Sequence, residues 1–318
     1  MQQSTRRILV TGSNGFLGRA LCVRLKSVGR IVRASARRRT IEIPEGIEFV
    51  RGELSPTFDW SFHLESVDTI LHTAARVHVT NDRQADSLKE FRYTNVDSTL
   101  NLARQAAQAG VRRLIFISSL GVNGAVTSGT PFGVNDAPSP HSPYAISKYE
   151  AEIGLQALAM ETGMEIVIIR APLVYGVNAP GNFGSLMRWV SHGVPLPLGA
   201  VTHNRRSLVS LDNLVDLILT CIEHPKAANQ ILLVSDGEDL STTELLRKMG
   251  QAMNRPVRLL PVPPAFLAFA ARLLGMQTIA QSLLGSLQVD MSKTCELLSW
   301  KPPISVDEGL QRAVEMRM

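Results

Sequence analysis

Tyr144 and Lys148 lie four residues apart in segment 142–148, which reads Ser-Pro-Tyr-Ala-Ile-Ser-Lys. A serine followed by a proline is typical of a helix start, so the segment predicts a helix that carries Tyr144 and Lys148 on one face. A lysine ammonium near a phenol favours the phenolate, and we expect it to lower the pKa of Tyr144 from its ordinary value of about 10. Such a tyrosine could exchange a proton with an alcohol or a ketone.

Ser118 and Ser119 end an apolar run that begins at Arg113 and predicts a strand. Parallel sheets bind ligands at the carboxyl ends of their strands, which is where these hydroxyls would lie. A Tyr-x-x-x-Lys spacing alone is common and says little. Combined with the strand-end serine and with the glycine loop described next, it predicts Ser119, Tyr144 and Lys148 as a catalytic set.

A glycine-rich loop, Thr-Gly-Ser-Asn-Gly-Phe-Leu-Gly, occupies residues 11–18 between the first apolar run and a helical pattern. Gly12, Gly15 and Gly18 would permit a tight turn and a close backbone approach to a pyrophosphate, and the helix start would offer free N–H groups. A tight turn without a ligand is the alternative. The position at the first strand-to-helix junction favours a dinucleotide site.

The next predicted strand, 31–36, is followed by Arg37, Arg38 and Arg39, with no acidic residue before Glu42. A carboxylate at this point would bind the ribose hydroxyls of NAD, whereas arginines suit the 2′-phosphate of NADP. We therefore expect NADP(H), with NAD(H) as the other possibility. A solvated run of charges is the alternative explanation.

Short apolar runs alternate with helical patterns along the chain and predict an α/β fold, a Rossmann-type doubly wound parallel sheet. The predicted strands are 7–11, 30–35, 69–74, 113–118, 165–170 and 230–235. The predicted helices begin after Gly15, run from about Arg83 to Ala109, and run from 142 to about Gly163.

Glycine and proline become frequent after residue 171, which predicts two domains. Residues 1–170 would form the dinucleotide-binding domain, and 171–318 a smaller, irregular nucleotide-sugar-binding subdomain from which 206–235 could return to the first. The uncharged stretch 259–271 contains three prolines, and we interpret it as a buried or subunit-facing helix in preference to a membrane contact.

The composition narrows the class of protein. The 318 residues carry 33 Lys and Arg against 28 Asp and Glu, a net charge of +5, and 45% are hydrophobic, which excludes a disordered chain. With 5% aromatic residues and no basic patch interleaved with aromatics, we expect no nucleic acid partner. No apolar run suits membrane insertion or a signal peptide, and Cys22, Cys221 and Cys295 have no metal-ligand spacing. We expect a cytoplasmic protein without a metal site.

These motifs together resemble the extended short-chain dehydrogenase/reductases of the NAD-dependent epimerase/dehydratase (UDP-glucose 4-epimerase-like) family. The resemblance covers nearly the whole chain and includes Leu-His-Thr-Ala-Ala at 71–75 and Arg-Ala-Pro-Leu-Val-Tyr-Gly at 170–176. It implies an enzyme that transfers a hydride at C4 of a UDP-sugar, with Tyr144 exchanging the hydroxyl proton, and a homodimer formed through helices 83–109 and 142–162.

The resemblance, together with the arginines after the second strand, defines the predicted contacts. The predicted cofactor-binding residues are Gly12, Asn14, Gly15, Phe16, Leu17, Gly18, Arg37, Arg38, Glu53, Leu54, Thr73, Ala74, Ala75, Asn95, Ser118, Tyr144, Lys148, Pro172 and Val174. The predicted substrate-binding residues are Ser119, Asn123, Tyr144, Asn182 and Arg206.

The family's branches differ in what accompanies the catalytic set. Dehydration would need an acid and a base after Ser119, and Leu120 and Gly121 can be neither. The arginines after the second strand favour an NADPH-dependent reductase of a UDP-4-keto-6-deoxy-N-acetylhexosamine in surface-polysaccharide biosynthesis. The alternatives are a 4-epimerase of UDP-glucose or UDP-N-acetylglucosamine with bound NAD, and an inactive NADP(H)-binding protein.

Overall fold

A computed structural model describes residues 6–40, 43–77 and 84–315. The strands are β1 (Arg7–Thr11), β2 (Ile31–Ala36), β3 (Glu48–Arg51), β4 (Val67–His72), β5 (Arg113–Ser119), β6 (Glu165–Ala171), β7 (Leu173–Tyr175), β8 (Arg206–Ser210), β9 (Ile231–Leu233) and β10 (Asp239–Leu240). The α-helices are α1 (Phe16–Ser27), α2 (Ser61–Leu64), α3 (Gln84–Phe91), α4 (Ser98–Gln108), α5 (Pro143–Thr162), α6 (Gly181–Ser191), α7 (Leu211–Glu223), α8 (Thr242–Ala252), α9 (Pro264–Leu273), α10 (Gln277–Leu284), α11 (Ser292–Leu298) and α12 (Val306–Glu315).

Seven of the strands form one parallel sheet in the order β3-β2-β1-β4-β5-β6-β9. The strand order reverses between β1 and β4, and Thr11 at the end of β1 pairs with both Ser35 of β2 and His72 of β4. Open α/β sheets bind ligands outside the carboxyl ends of the strands at such a reversal. The expected Rossmann-type α/β fold is confirmed.

Alternating residues of the strands supply two separate hydrophobic layers. In β1, Ile8 and Val10 pack with α1 and α7 on one side, while Leu9 packs with α4 and α5 on the other. A parallel sheet covered on both faces needs apolar residues at every position, which explains the near-continuous apolar runs in the sequence.

A second sheet of β10, β8 and β7 lies over the carboxyl end of the first and packs against α6, α8 and α12. The chain passes from the main sheet to the second sheet more than once. After β7 and β8 it returns to form β9, which pairs with β6 of the main sheet. The polypeptide after residue 171 therefore contributes to both layers.

The helix predicted at 83–109 is interrupted in the structure. It consists of α3, a π-helical turn (Arg92–Asp97) and α4, and Arg83 lies outside the described residues. A π turn inserts one residue into the helical repeat, and such turns are frequent at functional sites.

The stretch 259–271 is not buried. It contributes to α9, which forms a hairpin with α10, and no residue of either helix is buried. The expectation of a helix buried within the chain is therefore wrong, and the subunit-facing alternative stays a prediction. Pro263 and Pro264 mark the start of α9, where proline fits a helix. Within the described chain, no helix has the length and apolar content needed to cross a membrane.

Candidate active site

The glycine loop joins β1 to α1 with a geometry that only glycine allows. Gly12 has φ +70°, and a Cβ atom there would lie 2.8 Å from the backbone nitrogen of Ala74. A Cβ atom at Gly18 would lie 2.3 Å from the carbonyl oxygen of Gly12. The first turn of α1 has neither a side-chain cap nor an acidic residue, so its N–H groups and positive dipole end remain available to an anion.

A cleft of about 690 Å³ opens beside this loop. It is lined by the glycine loop, by the turns after β2, β3 and β4, and by residues 90–94, because parallel strands bring their carboxyl ends to one edge. The predicted cofactor residues that line it are Gly12, Asn14, Gly15, Arg37, Arg38, Glu53, Leu54, Thr73, Ala74 and Ala75. The lining residues that are not among the predicted contacts are Thr11, Ser35, Ala36, Gly52, Trp60, Arg76, Glu90, Tyr93 and Thr94.

The turn after β2 presents cations to the cleft. Arg37 and Arg38 are exposed and form no ion pair within the described part of the chain. Asn14 donates a hydrogen bond of 2.6 Å to the carbonyl of Arg38, which ties this turn to the glycine loop. Arg33 is not part of this cluster, since it is buried and bonds Glu48 at 2.9 Å.

Ser119 and Tyr144 lie on adjoining elements at the carboxyl edge of the sheet. Ser119 is the last residue of β5, and its Oγ accepts a hydrogen bond of 3.1 Å from the backbone of Gly121. A Cβ atom at Gly121 would touch Ser119 Oγ at 3.3 Å and Ala145 at 3.4 Å, so this turn packs directly on the start of α5. Ser142 caps α5, which fixes the first turn that carries Tyr144.

Lys148 is buried one helical turn after Tyr144. Its Nζ lies 4.1 Å from the centroid of the Phe116 ring, a cation–π contact. Burial lowers the pKa of Lys148 to about 7, with the Glu152 carboxylate acting in the opposite direction. Burial also raises the pKa of Tyr144 to about 12. The expected lowering by the lysine is wrong for this structure, because desolvation of the phenolate dominates.

A neutral histidine connects the cofactor cleft to the catalytic helix. His72 is fully buried, and its ring nitrogens bond the hydroxyls of Thr11 at 2.8 Å and Thr99 at 3.0 Å. Burial lowers its pKa to about 3, and its ring stacks on Phe116 at 5.8 Å. His72 is therefore uncharged, and it stacks on the same Phe116 ring that contacts Lys148.

A buried ion pair underlies the catalytic helix. Arg170 bonds both carboxylate oxygens of Glu152, and it donates to Asn123 Oδ1 at 3.0 Å. Ser118 donates its hydroxyl to the same carboxylate. The side chains of Ser118 and Asn123 are thus buried in this network, and the ligand contacts expected of these two residues stay predictions.

The Asn95 amide is also occupied by the protein itself. It lies in the π turn, accepts from the backbone of Arg76 at 2.8 Å, and donates to Ser147 at 3.1 Å. Its side chain is buried and connects α5 to the turn after β4, and its predicted cofactor contact stays a prediction.

Four of the predicted cofactor residues pack outside the cleft. Phe16 contacts the position of Gly176, and Leu17 and Val174 join the core beneath the sheet. Pro172 is buried directly after β6.

Asn182 and Arg206 are distant in sequence but approach the same segment. Asn182 bonds Ser282 at 3.5 Å, and Arg206 donates to the carbonyl of Gly285 at 3.1 Å. Burial lowers the pKa of Arg206, and no described carboxylate pairs with it. A largely buried guanidinium with a single carbonyl partner suits an anionic ligand.

This fold and site define a dinucleotide-dependent enzyme with a Ser-Tyr-Lys set. A profile of the NAD dependent epimerase/dehydratase family matches residues 8–234. The chain is 46% identical over 311 residues to a UDP-glucose 4-epimerase from Vibrio cholerae, covering 98% of this chain and 95% of the relative. The chain belongs to the NAD-dependent epimerase/dehydratase family, and the expectation of an enzyme is confirmed.

Solved structures share the whole fold. A UDP-N-acetylglucosamine 4-epimerase from Bacillus cereus matches with a TM-score of 0.80 and 20% identity, over 98% of this chain and 99% of that one. A UDP-glucuronic acid 4-epimerase from Bacillus cereus, solved in complex with NAD, matches with a TM-score of 0.78 and 20% identity, over 97% of this chain and 96% of that one.

The residues present fit a dinucleotide. A side chain at Gly12 or Gly18 would fill the close approach between loop and strand, and the start of α1 is open to a pyrophosphate. The buried hydroxyl of Ser13 has no partner in the described chain. No cluster that could hold a metal ion occurs among the described residues.

Proposed function

We propose that the protein is a UDP-hexose 4-epimerase that keeps NAD bound and acts on UDP-glucose or UDP-N-acetylglucosamine. The observation that carries the proposal is the position of Ser119 at the carboxyl end of β5, beside the start of α5, the helix that carries Tyr144 and Lys148; the dinucleotide cleft opens at the same edge of the sheet. The relative from Vibrio cholerae supports epimerisation better than the reduction favoured from the sequence alone.

The glycine loop and the start of α1 would hold NAD, which would supply reversible hydride transfer at C4 of the sugar. Tyr144 would take the proton of the C4 hydroxyl and give it back, while Ser119 donates a hydrogen bond to the same oxygen. With no acid or base side chain at Leu120 or Gly121, the neighbouring carbon would keep its substituents. A change of configuration at C4 alone is the expected outcome.

Lys148 would act through its charge. Its pKa of about 7 makes the ammonium easy to lose at neutral pH, and the Phe116 ring and Glu152 carboxylate both favour the charged form. A ligand phosphate or ribose hydroxyl beside it would favour that form further. Lys148 in its charged form stabilises the Tyr144 phenolate, which opposes the effect of burial on the pKa of Tyr144.

Arg206 would hold the UDP diphosphate, with Asn182 beside it. The two side chains meet at segment 282–285, and the guanidinium is the only charged group we assign to the substrate. A uridine diphosphate supplies the negative charge that the largely buried Arg206 lacks in the described chain.

A second candidate is the NADPH-dependent reductase of a UDP-4-keto-6-deoxy-N-acetylhexosamine. One observation favours it, the presence of Arg37 and Arg38 at the cleft with no carboxylate at the end of β2. These cations suit a 2′-phosphate, and such a reductase would belong to surface-polysaccharide biosynthesis. An inactive binding protein is disfavoured because Ser119, Tyr144 and Lys148 are all present.

We infer a cytoplasmic homodimer formed through α4 and α5. On the outer side of α5, Met160 is 84% exposed and Ile153 is 49% exposed, which suits an interface between subunits.

Two measurements separate the candidates. Cofactor released from freshly purified, denatured protein and identified by mass should be NAD for the epimerase, whereas released or preferentially bound NADP(H) supports the reductase. The second is turnover of UDP-glucose or UDP-N-acetylglucosamine without added cofactor, compared with UDP-4-keto-6-deoxy-N-acetylglucosamine plus NADPH. The epimerase proposal would be overturned if UDP-4-keto-6-deoxy-N-acetylglucosamine consumed NADPH stoichiometrically while UDP-glucose and UDP-N-acetylglucosamine gave no epimer.

A further inference from the structure

The hairpin of α9 and α10 presents an unusual apolar surface to solvent. Phe266 is 63% exposed, Phe269 60% and Leu273 71%. Their spacing of three and four residues puts them on one face of α9. The apolar face of the hairpin consists of Leu260, Phe266, Phe269, Leu273, Leu274, Met276 and Ile279.

The opposite side of the hairpin fixes it to the protein. Leu267, Leu283 and Leu284 pack against the core beneath the second sheet. The carbonyl of Leu283 accepts hydrogen bonds from Asn204 at 3.2 Å and from the hydroxyl of Thr242. The hairpin is thus held in place with its larger apolar side chains directed outward, which is different from a loosely attached segment.

The charged residues of the hairpin and of the segment leading into it have one sign. Residues 255–289 contain three Arg and no Lys, Asp or Glu, while Lys248 on the preceding helix α8 pairs with Glu238 and Asp307. Arg258 and Arg272 bracket the apolar stretch, are exposed, and form no ion pair with any residue that the structure describes. A surface that complements this face must therefore combine apolar material with negative charge.

A second copy of the chain does not supply that combination. A two-fold interface buries the same patch on both subunits, so it would bring Arg258 and Arg272 of one subunit toward those of the other. The hairpin and the segment leading into it, residues 255–289, contain no acidic residue to offset the repulsion. An aromatic and aliphatic face with a cationic rim instead matches the boundary between acyl chains and anionic headgroups.

We propose that the apolar face of the α9–α10 hairpin docks the protein on a bilayer that carries anionic lipid headgroups. Phe266, Phe269 and Leu273 enter the headgroup boundary, and Arg258 and Arg272 contact the negative charges. With α9 only ten residues long, the helix lies in the interface and does not cross the bilayer. The interpretation of this stretch as subunit-facing is replaced by a peripheral membrane surface.

The test is sedimentation of the full-length protein with vesicles. The probes are phosphatidylglycerol mixed with phosphatidylethanolamine, and phosphatidylcholine alone. The wild-type protein should bind the anionic vesicles, bind less as salt is raised, and bind phosphatidylcholine weakly. The variant Phe266→Asp/Phe269→Asp should lose about tenfold or more in binding.

Phe62→Asp is the matched control, since Phe62 is 58% exposed on α2, outside the hairpin. It should bind vesicles like the wild type, and all variants should keep their helical circular dichroism. The proposal is overturned if the wild type does not bind anionic vesicles, or if Phe266→Asp/Phe269→Asp binds them unchanged. It is also overturned if that variant turns a dimer into a monomer in size-exclusion chromatography, which would make this face a subunit interface.

Discussion

The Lys148 ammonium and the Phe116 ring are in direct contact inside the protein, 4.1 Å apart, with Lys148 only 2% exposed. Phe116 in turn stacks on the neutral His72 ring. The lysine that the catalytic set needs is therefore held between a strand and α5 before any ligand arrives, and its charge is costly to keep there.

That cost predicts a pH dependence of stability. The folded-state pKa of Lys148 is about 7, below the 10.5 of an exposed lysine, so the unfolded chain binds more protons between those values. This group therefore adds stability as the pH rises from 7 toward 10.5. Lys148→Met should be more stable than the wild type at pH about 6, by about 2 kcal/mol or more, with the difference shrinking at high pH. Urea unfolding at several pH values measures this, and a constant difference would contradict it.

The buried pair of Glu152 and Arg170 predicts a large loss of stability. Glu152→Gln should destabilise the protein by about 3 kcal/mol, since it leaves the Arg170 guanidinium buried without a counter-charge. Glu150→Gln is the matched control on the same helix, because its pair with Arg92 is exposed and should be worth less than about 1 kcal/mol. Equal shifts of the thermal midpoint for both variants would show that the buried pair contributes no more to the free energy of unfolding than the exposed pair does.

The assignment of Arg206 to the diphosphate predicts that its replacement weakens substrate binding and leaves the rate of the chemical step nearly unchanged. Arg206→Gln should raise KM for the UDP-sugar roughly thirtyfold, corresponding to about 2 kcal/mol, while kcat changes little. Arg205→Gln is the adjacent control, whose guanidinium bonds Glu244 at 3.1 Å. If the two variants have the same KM, Arg206 does not hold the diphosphate.

Gly12 predicts a cofactor defect that is steric in origin. Gly12→Ala should weaken NAD binding at least about tenfold, since the new methyl group would meet Ala74 and the residue has φ +70°. Gly29→Ala has a similar φ of +74° with no neighbour within 4 Å, so it controls for backbone strain. Isothermal titration with NAD, on protein from which the retained cofactor has been removed, compares the two variants. Unaltered binding by Gly12→Ala would exclude the loop from the cofactor site.

The assignment of Tyr144 predicts that removing its hydroxyl abolishes turnover and leaves NAD binding intact. Tyr144→Phe keeps the ring that packs on Phe91 and removes the hydroxyl, so turnover should fall by a factor of about 100 or more. NAD affinity should stay near the wild-type value. Turnover near the original rate would exclude Tyr144 as the proton-transfer group.

The main sheet could be predicted because its strands are apolar on both faces. Strands β1, β2, β4, β5, β6 and β9 all coincide with runs identified in the sequence, with ends that differ by up to two residues. The strand β10 has two residues and β7 has three, which is too short for an alternating pattern to appear. Their position depends on the second sheet and not on their own sequence.

The site could be predicted only where a backbone motif defines it. The spacing of the glycines between a strand and a helix identifies the loop from sequence alone, and the local geometry of that junction places the loop in the cleft. The buried partners of Ser118 and Asn123 could not be predicted, because Glu152 bonds Ser118 and Arg170 bonds Asn123 across long stretches of sequence. Glu152 lies four residues after Lys148, so a buried carboxylate one turn beyond the catalytic lysine was a signal that could have been used.

The central claim is that the protein inverts C4 of a UDP-hexose with a cofactor that it retains. The most direct measurement incubates the purified protein, without added cofactor, with UDP-glucose or UDP-N-acetylglucosamine that carries deuterium at C4. The account predicts the C4 epimer with the deuterium retained and no net change in reduced nicotinamide. Absence of the epimer, or an epimer whose C4 carries hydrogen from water, would contradict it.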